Sequence, residues 1–363
     1  MPRPCIEEDV DLAQDLATCR ASLKGGSKSF HAASFLLPPA FRNSASALYA
    51  FCRLADDAID READSAAALA RLRERLAAIY DGRPMAYPAD RALAVVVRRC
   101  GLPRALPEAL LEGFSWDAEG RRYPDLDGVL AYSARVAGVV GAMMAVLMGV
   151  REPRMLARAS DLGVAMQLTN IVRDVGEDAA AGRIYLPLDW LRDAGIDPDA
   201  FLANPVPSSA LAGVVRRLLA VADGLYRRAD SGIARLPWRC RPGIYAARLL
   251  YDEIGREVGR RGFDPVSGRA VVAAARKLGL LARLPRSWVL SAGALGAEVL
   301  EQNGFLVAAV AAEPAPAAAR RGVLARLAEA ERKLVWVIDL FQDLERRGGG
   351  RALPVVSADE RAV

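Results

Sequence analysis

Two helical segments carry acidic side chains at a spacing of one helical turn. In the first segment, Asp56 and Asp60 lie four residues apart, and Tyr49 and Arg53 continue the same stripe towards the N-terminus. Residues four apart lie on one face of a helix, so the two carboxylates are neighbours. Like charges at this spacing cost about 0.2–0.5 kcal/mol in an isolated helix. Either Arg53 or a bound divalent cation would offset that repulsion.

The second segment repeats the pattern. Its polar stripe consists of Gln167, Asn170, Asp174 and Asp178, at steps of three, four and four residues. One acidic pair of this kind is usually a solvated helix face, but two such stripes in one helical chain favour a shared site. Mg²⁺ prefers oxygen ligands and usually binds through one or two carboxylates together with substrate phosphate oxygens. The stripes therefore predict a magnesium-dependent site for a diphosphate.

Helices must hold both stripes in place. Apolar residues recur at helical spacing beside each stripe. They are Leu48, Phe51, Cys52, Ala55 and Ile59 in the first segment, and Leu168, Ile171, Val172 and Val175 in the second. Aromatic residues make up only 6% of the chain, so its 53% hydrophobic content is mostly aliphatic and favours helix. We predict an all-α protein in which Ser65 and Asp127 cap two helices and Gly182 ends the helix of the second stripe.

Length and charge bound the organisation and the function. The chain has 363 residues, and at about 150 residues per domain this suggests roughly two domains. We expect a catalytic domain over residues 1–312, followed over residues 313–363 by a Pro/Ala linker, a solvated helix and a disordered tail. A net charge of +5 is too small and dispersed to indicate nucleic acid, but it suits a phosphorylated substrate or an anionic membrane surface. The single histidine, His31, excludes the usual His-ligated zinc sites.

The sequence also indicates in which cellular compartment the protein acts. The N-terminal segment is acidic and has no signal-peptide core, and the longest apolar run, residues 136–150, is shorter than the roughly 20 residues of a spanning helix. Five widely spaced cysteines without a CxxC pair favour a reducing compartment. We therefore expect a cytoplasmic protein with peripheral contact at the cytoplasmic face of the membrane, where the apolar region 288–306 is a candidate surface.

Five motifs are more specific than composition. They occupy residues 27–30, 49–60, 136–141, 167–178 and 182–187. Through them, from about residue 19 to residue 277, the chain resembles the squalene/phytoene synthase family, and most of all its bacterial phytoene-forming members. The resemblance implies an isoprenoid synthase bundle of helices around a central cavity. It also implies head-to-head condensation of two geranylgeranyl diphosphates, through a cyclopropyl intermediate, to phytoene.

The resemblance further implies the roles of individual residues. The magnesium ligands, for which Mn²⁺ would substitute, are Asp56, Asp60, Asn170, Asp174 and Asp178. The substrate-binding residues are Gly26, Ser27, Lys28, Ser29, Tyr49, Arg53, Gln167, Arg173, Tyr251 and Arg269, with weaker motif matches at the last two. The catalytic set combines the four aspartates Asp56, Asp60, Asp174 and Asp178 with Tyr132, which matches a tyrosine near the reacting carbons.

Two alternatives remain open at this point. One is another head-to-head synthase that makes presqualene diphosphate, squalene or diapophytoene. No dinucleotide-binding fingerprint follows a strand pattern, so we expect no requirement for NADPH. The other is a non-catalytic helical scaffold that uses acidic helices to contact a partner, which two intact stripes disfavour.

Overall fold

The fold is built from helices packed around two apolar cores. The computed structural model describes residues 10–26, 28–61, 64–290, 295–296 and 298–313, and it contains no strand in these ranges, which confirms the predicted all-α class. The α-helices in chain order are α1 (Val10–Gly26), α2 (Lys28–Ser34), α3 (Pro39–Arg61), α4 (Ser65–Tyr80), α5 (Pro88–Cys100), α6 (Ala105–Ala118), α7 (Leu126–Ser133), α8 (Val139–Leu147), α9 (Pro153–Ala180), α10 (Leu188–Asp193), α11 (Pro198–Ala203), α12 (Ser209–Ile233), α13 (Arg241–Arg260), α14 (Ala274–Leu281), α15 (Arg286–Val289) and α16 (Gly304–Ala312).

The two stripe-bearing helices belong to different cores. Helix α3 packs with α1, α4, α5, α6 and α8 around the first core, and α9 packs with α12 and α13 around the second. The apolar face predicted for α3 is buried at Leu48, Phe51, Ala55 and Ile59, and Cys52 is partly buried. All four apolar residues predicted for α9 are also buried. Burial of these faces leaves the polar stripe of each helix at the edge of its core.

Helix α9 is the central element of the second core. Its most extensive contacts are with α12, and it also contacts α8, α13 and the π-helical turn Ala134–Gly138 that joins α7 to α8. The helix ends at Ala180, and Gly182 follows with a positive φ of 74°, a conformation that glycine adopts without strain. Gly182 therefore ends this helix as predicted.

Two predicted helix caps are one or two residues out of place. Helix α4 is capped by Asp64, whose carboxylate accepts a hydrogen bond from the backbone N–H of Ala67, rather than by Ser65. Helix α7 is capped by Asp125, which accepts from the N–H of Gly128, rather than by Asp127. In both cases an aspartate just upstream has the extended or irregular backbone that a cap requires, and the predicted residue lies inside the helix.

One helical run is longer than the sequence indicated. Residues Leu126–Leu147 form 22 helical residues that are long and apolar enough to cross a membrane by length and composition alone. The apolar run at residues 136–150 is thus part of a longer helical run, which reaches the length of a spanning helix where the apolar run alone does not. About 61% of its most apolar stretch is buried inside the protein, as is usual for a core helix.

The last described residues pack on the body of the protein. Helix α16 contacts α6, α8 and α9, and its residues Leu306 and Val310 are buried in the first core. Arg151 donates hydrogen bonds to the carbonyl of Glu313 and to the carbonyl of Cys100 at the end of α5. The predicted linker, helix and tail lie outside the described residues from position 314 onwards, and that part of the domain division stays a prediction.

The cysteines differ in state. Cys19, Cys52 and Cys240 are free thiols. Burial raises the pKa of each, to about 11 for Cys19 and about 12 for the other two, so none is a ready nucleophile at neutral pH. Cys100, which is buried at the end of α5, is disulfide-bonded.

Candidate active site

The first acidic stripe is neutralised by an arginine on its own helix. The Arg53 guanidinium donates to Asp56 over 3.2 Å and, from two nitrogens, to Asp57 over 2.7 and 3.1 Å. Arg53 therefore contacts Asp56 as the spacing predicts, but its main partner is Asp57, which sequence reasoning did not name. The side chain of Asp60 lies outside the described residues.

Tyr49 connects this stripe to the end of α1. A Cβ placed on Gly26 would collide with the hydroxyl of Tyr49, so the phenol can lie against the α1 backbone only because this position is a glycine. The structure thus brings together two of the predicted diphosphate-binding residues. Ser27 lies outside the described residues, as do the side chains of Lys28 and Ser29.

The second stripe is held by arginines from two elements. Arg173 donates to both carboxylate oxygens of Asp174, and Arg269 contacts the same carboxylate with its Nε 2.9 Å from Oδ1. Arg269 also reaches Glu177, at 3.4 Å. Arg269 is only a weak motif match in the sequence. The loop that carries it lies almost a hundred residues further along the chain, and the fold brings its guanidinium into contact with the stripe.

A close backbone approach positions that loop. The N–H of Gly176 donates to the carbonyl of Pro265 over 3.3 Å, and a Cβ on Gly176 would lie 2.9 Å from that oxygen and 3.0 Å from the Cα of Val266. The carboxylate of Asp264 accepts from two backbone N–H groups further along and folds the loop back on itself. Because α9 has no side chain at position 176, the loop that carries Arg269 can rest on the helix.

Two side chains of the second stripe have the features expected of cation ligands. The Oδ1 atom of Asn170 is buried and has no hydrogen-bond partner among the described residues, and its amide nitrogen reaches Gln167 only over 3.5 Å. Burial, together with the negative charges of Asp174 and Glu177, raises the pKa of Asp178 to about 7, against the opposing effect of Arg183. An unpaired amide oxygen beside crowded carboxylates is a donor set that suits a hard divalent cation.

The carboxylates of the two stripes do not form one compact group. Within the described ranges, no three His, Cys, Asp or Glu side chains lie close enough together to hold a metal ion by themselves. Mg²⁺ usually binds through one or two carboxylates together with substrate phosphate oxygens, so a compact group of three acidic side chains is not required.

Tyr251 is buried on α13, a helix that packs against the helix of the second stripe. Burial, together with the nearby Tyr49 and Asp174, raises its pKa to about 12, against the opposing charge of Arg173. Helix α13, which carries Tyr251, packs against both α9 and α2. The ring of Tyr251 also stacks on Phe30 of α2, with centroids 5.2 Å apart. The structure therefore brings this weakly matched residue to the predicted diphosphate site.

Tyr132 belongs to an aromatic cluster at the far end of the second stripe. Its hydroxyl donates to Asp117 over 3.0 Å, and the hydroxyl of Tyr185 donates to the other oxygen of that carboxylate over 2.8 Å. The rings of Tyr132 and Tyr185 stack at 5.1 Å, and Tyr123 packs on Tyr132 at 5.2 Å. Sequence analysis missed Asp117, which no motif marks, and gave no role to Tyr185 although it lies in the motif at 182–187.

Two surface cavities differ in whether predicted site residues line them. A groove of about 260 Å³ lies between the start of α12 and the loop at residues 262–265, and none of the predicted site residues lines it. A much smaller cavity lies against the second stripe. Its lining includes Asp178, Arg183 and Tyr185, so it joins the acidic stripe to the aromatic cluster.

Comparisons with known proteins identify the family of this chain. Residues 23–277 match the family model described as squalene/phytoene synthase. The chain is 56% identical over 271 residues to phytoene synthase of Rhodobacter capsulatus, covering 74% of this chain and 80% of the relative. It is 45% identical over 273 residues to 15-cis-phytoene synthase of a Paracoccus species, covering 73% and 88%.

Solved structures show the same fold. A dehydrosqualene synthase crystallised with a ligand superposes with a TM-score of 0.71 at 32% identity, covering 76% of this chain and 96% of the other. Squalene synthase HpnC of Alicyclobacillus acidocaldarius superposes with a TM-score of 0.66 at 25% identity, covering 71% and 98%. Since the family model spans well over half of the chain, the protein belongs to the squalene/phytoene synthase family and is a prenyltransferase that condenses two prenyl diphosphates head to head.

Proposed function

We propose that the prenyl diphosphate is geranylgeranyl diphosphate and that this enzyme joins two molecules, through prephytoene diphosphate, to 15-cis-phytoene in carotenoid biosynthesis. The observation that carries the proposal is the 56% identity to phytoene synthases over about three quarters of the chain. The family match over residues 23–277 includes both acidic stripes and the arginines Arg53, Arg173 and Arg269.

The basic residues of the site would bind the diphosphates. Arg53 lies on the first stripe, while Arg173 and Arg269 converge on Asp174. Guanidinium groups match the geometry of phosphate oxygens and can donate two hydrogen bonds at once. As the bond between the prenyl carbon and the diphosphate oxygen breaks, these groups stabilise the negative charge that accumulates on the departing diphosphate.

The acidic stripes would hold the metal ions. Asp56, Asn170, Asp174 and Asp178 fit this role by donor type, and the unpartnered Oδ1 of Asn170 supports it; Asp60 is assigned by motif only. Bound Mg²⁺ or Mn²⁺ supplies positive charge that stabilises the leaving diphosphate. Formation of phytoene ends in proton loss, so the reaction needs no hydride and we propose no NADPH requirement.

Identification of the product tests the proposal. Purified enzyme is incubated with Mg²⁺ and geranylgeranyl diphosphate, or with the shorter farnesyl diphosphate, with and without NADPH, and the extracted hydrocarbon is identified by mass. We expect a C40 product from geranylgeranyl diphosphate without NADPH, and no turnover after the divalent cation is chelated. A C30 product formed in preference, or one that requires NADPH, would favour a dehydrosqualene or squalene synthase instead.

We also propose a cytoplasmic location with peripheral contact at the membrane, where the oily substrate and product dissolve. Exposed apolar side chains at Trp288 and Val289, 47% and 79% accessible, support the candidate surface in region 288–306. High salt should release the protein from anionic vesicles if surface charge carries the contact, because salt screens surface charge beyond about 8–10 Å, whereas contact through Trp288 and Val289 should persist in high salt. Release only by detergent would contradict a purely electrostatic contact.

A further inference from the structure

Three separate elements converge on the carboxylate of Asp117. Asp117 lies in the last turn of α6, Tyr132 in the last turn of α7, and Tyr185 in the connection after α9. The hydroxyl of Tyr185 donates to Oδ1 over 2.8 Å and that of Tyr132 to Oδ2 over 3.0 Å. Hydrogen bonds to an ionised acceptor are about twice as strong as neutral ones. A single side chain thus fixes two phenols that are far apart in sequence.

Packing restricts the two phenols further. Their rings stack with centroids 5.1 Å apart and planes 20° apart, and Tyr123 covers Tyr132 at 5.2 Å. Burial raises the pKa of Tyr132 and of Tyr185, and the charge of Asp117 adds to the rise in both. Both phenols therefore remain protonated at neutral pH and act as donors to Asp117. In such a buried site each hydrogen bond is electrostatically stronger than in water.

The cluster adjoins the second acidic stripe. Tyr185 and Asp178 line the same small cavity together with Arg183. The phenols held by Asp117 thus lie beside the end of α9 where the prenyl diphosphate would be bound.

We propose that Asp117 is a positioning residue for the carbocation steps of the reaction: it holds the hydroxyl hydrogens of Tyr132 and Tyr185 on its own oxygens, so that both phenol oxygens turn their lone pairs towards the bound prenyl chain. A phenol that donates to a carboxylate is polarised, and its oxygen carries more negative charge. That charge, fixed in advance, stabilises the positive charge that develops on the ionised chain. This role rests on the proposed prenyl condensation, because only that reaction places a carbocation here.

The test is a mutant cycle on the full-length enzyme. Asp117→Asn keeps the shape but removes the charge and one acceptor oxygen. Loss of one preorganised electrostatic partner costs about 10²–10³ in kcat, so we expect roughly a hundredfold fall with KM within about threefold. In a Tyr132→Phe/Tyr185→Phe background, Asp117→Asn should change kcat by less than about threefold, because no hydroxyl remains to be positioned.

The outcomes separate positioning from other roles. Wild-type kcat in Asp117→Asn overturns the inference, and so does a full hundredfold loss that persists in the double phenylalanine background. The dissociation constant of an unreactive thiodiphosphate analogue of the substrate should stay within about threefold of wild type in every variant. A large loss of analogue affinity would instead make Asp117 a substrate-binding residue and would also overturn the inference.

Controls distinguish these results from misfolding and from a wrong substrate. Tyr80→Phe removes a comparable phenol bond, to the carbonyl of Leu102 at 3.0 Å, in the other core, and should keep wild-type kcat. If Asp117→Asn fails to fold by circular dichroism, Tyr185→Phe replaces it as the test. That variant keeps the ring and should lose about tenfold in kcat, and wild-type kcat in it contradicts the inference.

The wild-type product is identified first, and the ratios of variant kcat to wild-type kcat are measured on that product. A different product thus refutes the proposed function alone, whereas unchanged ratios refute the role of Asp117 alone.

Discussion

Replacement of Asp161 by asparagine tests whether a buried ion cluster holds the C-terminal segment onto α9. The side chain of Asp161 is fully buried and contacts the guanidinium nitrogens of Arg158 and Arg228, each at 2.9 Å. The amide of Asn303 donates to its other oxygen over 3.2 Å. Both arginines also donate to the carbonyl of Glu298. One carboxylate therefore connects α9, α12 and the segment that precedes α16.

The magnitude follows from the burial of Arg158, whose side chain is only 1% exposed. Asn has nearly the same shape as Asp but no charge, so the variant removes the carboxylate that is paired with this buried guanidinium. Removal of one partner of a buried pair costs about 3–5 kcal/mol. With an unfolding entropy of about 2.1 cal/mol/K per residue over roughly 300 ordered residues, Tm should fall by about 5–8 °C.

Thermal unfolding followed by circular dichroism measures the shift. The matched control is Asp199→Asn, which removes the same charge from an exposed pair with Arg122, where Asp199 is 79% accessible. An exposed pair contributes about 0–1 kcal/mol, so this Tm should move by less than about 2 °C. In Asp161→Asn/Arg158→Met, part of the lost stability should return, because the buried charge is gone. A Tm for Asp161→Asn within about 1 °C of wild type would refute the reasoning.

Three further predictions concern the active site and its boundary. Asp56→Asn and Asp174→Asn should each abolish turnover at unchanged helix content, and wild-type rates in excess Mg²⁺ would contradict their assignment as ligands. Gly176→Ala should displace the loop that carries Arg269, since the new Cβ would lie 2.9 Å from the carbonyl oxygen of Pro265, and should lower kcat/KM about tenfold; unchanged kinetics would show that the loop adapts. A chain that ends after α16 should keep its kcat per folded molecule, and a folded but inactive truncation would place the tail in the site.

Helical periodicity made the two stripes and their apolar faces predictable. Both features depend on residues within one helix, where spacing alone decides which side chains share a face. Leu48 and Phe51 of α3, and Ile171 and Val175 of α9, are buried as that spacing requires. The caps were harder to predict because neighbouring Ser and Asp residues compete for the same N–H groups. Asp64 and Asp125 take those roles, and which residue does so depends on backbone angles that a pattern does not contain.

Contacts between distant segments were not predictable from the sequence. Asp117 lies at the end of a helix, and no motif in the neighbouring sequence indicates that two tyrosines, 15 and 68 residues away, donate hydrogen bonds to it. Asp57 was passed over because it falls off the stripe by one position, yet it forms the shorter contact with Arg53. Long side chains reach beyond the face on which their Cα lies, so a stripe defined by Cα spacing underestimates what an arginine can touch.

Each of the arginines of the site has two roles, and a single substitution would affect both at once. Arg53 lies against Asp56 and Asp57, and Arg269 lies against Asp174 and Glu177, so each offsets repulsion within an acidic stripe. The same guanidinium groups are the ones that would bind the substrate diphosphate. Loss of Arg269 would therefore remove a diphosphate contact and also leave the stripe with uncompensated negative charge. A fall in activity after that substitution therefore measures the sum of the two effects. Separate measurements of the enzyme's affinity for an unreactive diphosphate and of its affinity for the metal ion distinguish them.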